Sequence, residues 1–262
     1  MRIATWNVNS LKARMPAVEQ WLGTVQPDVL CMQETKLADD AFPDKFFADL
    51  GYETAHHGNG AWNGVAICSR VGIDEVVRGF EGDAAEAESR SIQALCDDVT
   101  VVCVYVPNGR VVASTHYEAK LEWLHRLVPF VAETTRQSES VVVCGDFNVA
   151  PTDLDVYDPS AFVGDTHVTP AERQALGDLL DLGLVDVVRA LYPNTGGLFS
   201  WWDYRRGDFH NGRGMRIDLM LMTAALADRA SWALIDRNAR KGQGSKTAPQ
   251  PSDHSPVVVE LG

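Results

Sequence analysis

Five short polar clusters in this chain carry side chains suited to one kind of chemistry. They are Trp6-Asn7-Val8-Asn9, Gln33-Glu34-Thr35-Lys36, Gly145-Asp146-Phe147-Asn148, Arg216-Ile217-Asp218 and Ser252-Asp253-His254-Ser255-Pro256. Together they supply the carboxylates of Glu34, Asp146, Asp218 and Asp253, the carboxamides of Asn7, Asn9 and Asn148, and the imidazole of His254. Hard oxygen donors of this kind suit Mg²⁺ or Mn²⁺, whereas zinc favours His and Cys. The set points to a divalent cation working on a phosphate ester.

Spacing adds roles. Asp146 and Asn148 lie two apart, so an extended backbone would turn both side chains to one face. One can orient or deprotonate a water while the other donates hydrogen bonds to a pentacovalent phosphate. His254 adjoins Asp253, which puts an imidazole and a metal ligand at one corner. Asp218, from another segment, can hold the histidine tautomer as a carboxylate does in hydrolytic triads. No Ser or Cys nucleophile motif accompanies them, so attack by water is favoured over a covalent intermediate.

Each cluster follows an apolar run, and rigid strand ends place reactive side chains well. Strands are expected over Arg2–Val8, Val29–Met32, Val65–Cys68, Ser91–Leu95, Thr100–Val106, Ser140–Cys144, Arg216–Met222 and Pro256–Leu261. Helical spacing marks residues 11–25 and 117–131, with Pro129 a possible early stop. Thr169-Pro170-Ala171-Glu172 opens a further helix with a capping box, expected to end at Gly183. Several strands follow one another without an intervening helix. Two packed mixed β-sheets flanked by helices, an α/β architecture, therefore fit better than a regular βαβ series. With no linker or repeat, residues 1–262 are expected to form one domain.

Composition narrows the setting. No apolar run approaches the ~20 residues of a membrane span. The five cysteines lack CxxC spacing and sit mostly inside apolar runs, as small hydrophobes do in a reducing cytoplasm. The net charge of −13 opposes binding to nucleic acid by bulk attraction. Residues 201–250, however, hold nine Lys/Arg against five Asp/Glu, enough for a local basic patch beside a metal site.

At this point the chain resembles the exonuclease III/AP endonuclease family of the endonuclease–exonuclease–phosphatase superfamily. The resemblance rests on the clusters above together with Tyr105-Val106-Pro107-Asn108-Gly109, Val149-Ala150-Pro151-Thr152-Asp153 and Trp202-Asp203-Tyr204-Arg205, all in family order. It implies a four-layer α/β-sandwich of the DNase I type. It also implies hydrolysis of DNA phosphodiesters with Mg²⁺ or Mn²⁺. Glu34 would be the principal metal ligand, completed by Asn7 and Asp253, with Asp146, Asn148 and His254 around the same ion. Asp146 would activate water, Asn148 would steady the transition state, and His254, oriented by Asp218, would contact the scissile phosphate. Tyr105 would approach that phosphate through its hydroxyl. Whether Asp146 or the His254–Asp218 pair takes the proton stays open, as does the number of metals. Asn9 replaces an Asp of the animal enzymes, which weakens the case for a second cation.

The implied substrate is double-stranded DNA with abasic sites or 3′ ends, handled by a monomer. Asn108 and Arg110 would hold DNA phosphates, and Lys36, Arg90, Arg205, Arg206, Arg213 and Arg216 would add backbone contacts. Trp201, Met215 and Ile217 match the family's pocket-forming stretch, where an abasic nucleotide, having no base to unstack, enters cheaply. The acidic stretch 81–89 is expected either to point away from DNA or to limit processive digestion. Two rivals stand beside this reading. One is a phosphatase of the same superfamily acting on inositol phosphates or phospholipids; the other is a catalytically silent DNA-binding module.

Overall fold

The structure, a computed structural model, describes residues 1–83, 87–241 and 251–262. Its strands are β1 (Arg2–Asn7), β2 (Val29–Gln33), β3 (Glu53–His57), β4 (Val65–Ser69), β5 (Asp74–Arg78), β6 (Ser91–Cys96), β7 (Val99–Tyr105), β8 (Val141–Asp146), β9 (Leu184–Asp186), β10 (Asp218–Thr223), β11 (Ala230–Ile235) and β12 (Val257–Leu261). They form two six-stranded sheets, ordered β11-β12-β1-β2-β4-β3 and β5-β6-β7-β8-β10-β9. Both are mixed: β1 pairs parallel with β2, and β7 with β8, among otherwise antiparallel neighbours.

Alternation of side chains decides what meets what. Ile3, Val29, Cys31, Val101, Cys103, Val142, Cys144, Met220 and Val257 point inward and form the core between the sheets. The opposite face of the second sheet packs Val102, Val104, Val143 and Leu219 against Leu124, Leu127 and Val131 of one helix and Leu176 and Leu179 of another. The outer face of the first sheet packs Ala4, Trp6, Leu30 and Met32 against Leu11, Val18 and Leu22 of a third helix, with Phe47. The result is helix, sheet, sheet, helix, the four layers expected.

The helices are α1 (Leu11–Val25), the short α2 (Asp44–Asp49), α3 (Thr115–Gln137) and α4 (Pro170–Leu180), with shorter turns elsewhere. Helix α3 runs through Pro129 to Gln137, because Val131 and Thr134 beyond the proline are buried against the sheet. The capping box of α4 forms as the sequence indicates, with Thr169 and Glu172 bonding each other's backbone N–H. All five cysteines are free and buried. Among the described residues no helix is long and apolar enough to cross a membrane. Residues 84–86 of the acidic stretch lie outside the described residues.

Candidate active site

Inward-facing positions continue to the strand ends, and there they become polar. Asn7 continues the inward series Ile3, Thr5 on β1, and Asp146 the series Val142, Cys144 on β8. Tyr105 follows Val101 and Cys103 on β7, and Asp218 precedes Met220 and Met222 on β10. Register aligns them: Asp146 faces Asp218 across the antiparallel pair and Tyr105 across the parallel one. Position 145 requires glycine, since a side chain there would collide with the Val104 carbonyl oxygen at 1.9 Å. The first sheet contributes Asn7, Glu34 just past β2, and Asp253-His254 just before β12. The site is the mouth of the cleft between the sheets.

Ligand atoms of Glu34, Asp146 and His254 lie within 4.8 Å of one another. Asn7 Nδ2 donates to Glu34 Oε1 and to Asp146 Oδ2, each at 2.9 Å. The Asn9 backbone N–H donates to Asn7 Oδ1 at 2.9 Å, which fixes the orientation of that amide. Asn7 Nδ2 therefore bridges the two carboxylates, while its Oδ1 is held by Asn9 N. Asn148 Oδ1 accepts from Asn108 Nδ2, and its Nδ2 donates to Val106 O. Asp253 accepts from Asn9 Nδ2 at 2.9 Å and from the Trp201 indole at 3.1 Å. Lys36 reaches inside as well, 2.9 Å from Glu34 Oε2 and 2.6 Å from Asn9 Oδ1. Glu34, Lys36, Asn9 and Asn148 all hold left-handed backbone, an uncommon state that gathers at functional sites.

His254 Nδ1 lies 2.9 Å from Asp218 Oδ2, and its Nε2 is 3.7 Å from Asp146 Oδ2. Ser200 Oγ accepts the Ile217 and Asp218 backbone N–H groups, and Ser252 Oγ accepts from His254 N. Burial opposes the imidazolium, yet Asp218 and then Asp146 outweigh it and raise His254 to about 10. Burial also pushes Asp146 up to about 7, with Asp218 and Glu34 adding to the rise against His254 and Asn7. For Tyr105, burial first and then the charges of Glu34 and Asp146 keep the proton on the phenol. Its ring is capped by Arg90, whose guanidinium carbon sits 4.6 Å from the centroid.

The donor set suits a hard divalent cation: Glu34 and Asp146 bring carboxylate oxygens together with the His254 imidazole, whereas Asp253 lies outside that cluster with both oxygens accepting hydrogen bonds. Beside the site runs a groove of 520 Å³ lined by Glu34, Lys36, Trp62, Arg90, Tyr105 and Arg110, among others. The expected DNA contacts divide. Asn108, Arg110, Arg205 and Arg206 are exposed, although Arg205 is paired with Asp203 at 2.6 Å. Arg213 is tied to Asp208. Arg90 is buried against Tyr105 and paired with Glu88. Arg216 is fully buried between Asp155 at 2.7 Å and Asp186 at 2.8 Å, so it cannot reach a DNA backbone. Met215 and Ile217 are core residues with Ala150 and Val156; Trp201 alone of that trio stays half-exposed.

Two residues escaped the sequence reading. His167 Nδ1 donates to the Asn148 carbonyl at 2.6 Å, and Lys120 Nζ donates to the same oxygen at 2.7 Å. Lys120 had a signal: it falls on the buried stripe Tyr117, Lys120, Leu124, Leu127, Val131 of α3. A charge there needs partners indoors.

A cleft mouth of this kind, oxygen-rich and carrying a carboxylate-paired imidazolium, marks a hydrolase that brings water to phosphorus. The chain belongs to the endonuclease/exonuclease/phosphatase family, whose model matches residues 4–254. It is 33% identical to exodeoxyribonuclease III of Haemophilus influenzae over the full length of both. The solved 3′ phosphatase NExo from Neisseria, bound to a product DNA hairpin, superposes with a TM-score of 0.94 at 36% identity, covering 100% of this chain and 99% of that one. An AP endonuclease from Archaeoglobus fulgidus gives 0.92 at 37%, with 100% and 99% covered. Members of the family depend on a divalent metal.

Proposed function

We propose that this chain is a DNA-repair phosphodiesterase that cuts 5′ to abasic sites, clears 3′ blocking groups and digests 3′ ends of duplex DNA. The observation that carries the reading is the convergence of Glu34, Asp146 and His254 within 4.8 Å, from strands of both sheets. Glu34 and Asp253, with Asp146 adjoining, would hold Mg²⁺ or Mn²⁺, which supplies Lewis-acid charge at the phosphate when bound. All these groups come from one chain and one shared core, which supports a single catalytic domain working as a monomer. Five unpaired thiols support a reducing, cytoplasmic setting.

The chain's own groups divide the work. Asp146, near 7, is poised as the base that takes a proton from water, since a general base works best close to ambient pH. His254, cationic at neutral pH, donates through Nε2 to a non-bridging oxygen while Asp218 holds Nδ1. Asn148 Nδ2, which spends one N–H on Val106 O, would turn its second to the same phosphate and stabilise charge there. Water's oxygen bonds to phosphorus, the bond to the 3′ oxygen breaks, that oxygen takes a proton from solvent to become a 3′-hydroxyl, and the phosphate leaves on the other fragment.

An end-labelled panel tests this: an abasic duplex, a 3′-phosphate duplex and a recessed 3′-hydroxyl, each with Mg²⁺, Mn²⁺ or EDTA, beside inositol polyphosphate. Metal-dependent product from DNA is expected. Full activity in EDTA, or turnover of the inositol compound alone, would overturn the proposal.

A further inference from the structure

Behind Asn148 lies a buried ion pair that the chemistry above does not use. Lys120 of α3 and Glu172 of α4 are both fully buried and bonded to each other. Glu172 also accepts from Thr166 Oγ1 at 2.7 Å, His167 N at 2.9 Å, Thr169 Oγ1 at 2.7 Å and Thr169 N at 3.0 Å. Its negative charge is satisfied several times over. Lys120 spends its protons on Glu172, on Thr166 Oγ1 at 3.4 Å and on the Asn148 carbonyl at 2.7 Å.

A buried ion pair is a poor choice for stability alone, since well-packed apolar residues of the same volume often do as well. Its reach is what distinguishes this one. Asn148 holds left-handed backbone at φ 51°, uncommon for a residue with a side chain. Its N–H is bonded to Asp146 Oδ1 and its Oδ1 to Asn108. Thr166 Oγ1 bonds Asn108 O in turn, and Gly109 has no room for a side chain because Lys120 Cδ would lie 2.9 Å and Thr166 Oγ1 2.8 Å from it. The Lys120 ammonium thus bonds Asn148 and Thr166 directly, and its stem fills the space beside Gly109.

We propose that Lys120 is a positioning residue for hydrolysis: its ammonium, held by Glu172, clamps the Asn148 carbonyl and so fixes the carboxamide that meets the phosphate. This inference rests on the role proposed for Asn148 above. His167 donates to the same carbonyl, so losing Lys120 loosens the clamp without releasing it.

The test is a double-mutant cycle in single-turnover cleavage of the DNA substrate, far below the melting temperature. Lys120→Met, paired with Glu172→Gln to avoid a stranded charge, should lower the single-turnover cleavage rate constant about 10- to 100-fold with the half-saturating concentration little changed. In an Asn148→Ala background the same pair should cost about threefold or less, because the clamped group is gone. Equal losses in both backgrounds, or none in either, would overturn the proposal, since a merely structural role multiplies. Should the pair not fold, Lys120→Gln, which keeps an N–H donor, runs the same cycle with a smaller loss and the same criterion. Amide exchange at Asn148, read without substrate, should quicken about tenfold in the variant, and an unchanged rate counts against the clamp. If the wild type cuts no DNA, the functional reading falls while this exchange measurement still judges the clamp.

Discussion

Replacing Arg216 with leucine separates two accounts of the basic stretch. By charge alone Arg216 belongs to a DNA-facing patch, but its guanidinium is fully buried. It donates to Asp155 Oδ1 at 2.7 Å and to Asp186 Oδ1 at 3.0 Å, and Asp155 is shared with Arg189 at 2.6 Å. Burial would raise Asp155, yet Arg216 beside it holds the carboxyl below its usual range. Removing one member of such a buried network leaves carboxylates short of partners and costs roughly 3–5 kcal/mol. At about 2–4 °C per kcal/mol for a domain near this size, melting should fall by roughly 6–20 °C. Circular dichroism melts at neutral pH measure that. Duplex binding by fluorescence anisotropy across several salt concentrations supplies the second readout. Each lost phosphate contact flattens the log–log salt slope by about 0.9. Arg216→Leu should leave the slope alone, whereas exposed Arg110→Ala should flatten it by about that amount. An unshifted melt together with a flattened slope for Arg216→Leu would refute the buried-network argument.

Other outcomes follow from the same geometry. Glu34→Gln should weaken Mn²⁺ binding at least tenfold, about 1.4 kcal/mol, by titration calorimetry; unaltered affinity would remove Glu34 from the cation site. Asp218→Asn removes the charge that sustains the His254 imidazolium, so its cleavage rate relative to wild type should drop more than about tenfold at pH 8 and recover toward pH 6; a ratio flat with pH would argue against that role. Acid should also unfold the protein by a traceable route. His167 is held down at about 4, by burial first and then Lys120, so the unfolded chain binds its proton earlier and stability drains as pH falls from about 6.5 to 4. Glu172, lowered to about 2 as Lys120 outweighs burial, contributes in full above about pH 4.5 and loses that contribution as pH falls through its folded value. Asp146, raised to about 7, contributes in the opposite sense over this window, so the check is differential: between pH 7 and 4 the urea midpoint of His167→Asn should fall less than that of wild type, and an identical profile would contradict the His167 assignment.

The sequence made the central strands legible because they are buried apolar runs, several of them bounded at one end by a polar cluster. The four strands it did not reveal, β3, β5, β9 and β11, are the edges of the two sheets. Glu53-Thr54-Ala55-His56-His57 and Asp74-Glu75-Val76-Val77-Arg78 face water and carry no apolar run to betray them. At the site, residue types were readable but hydrogen-bond direction was not. That Asn7 and Asn148 present N–H groups depends on Asn9 N and Asn108, contacts no spacing rule encodes. Arg216 misled because a positive charge reads the same from sequence whether it meets solvent or two buried aspartates.

The groups proposed to act in catalysis are split between two slabs of the molecule. One bears Asn7, Glu34, Asp253 and His254; the other bears Tyr105, Asp146, Asn148 and Asp218. Nothing covalent sets the spacing across that seam; the thickness of the small side chains within it does. Cys31, Cys103 and Cys144 are shims in this sense. Enlarging any of them, far from the cleft mouth, would widen the gap between Glu34 and Asp146 and, on the function proposed above, dull the enzyme with every reactive group still present.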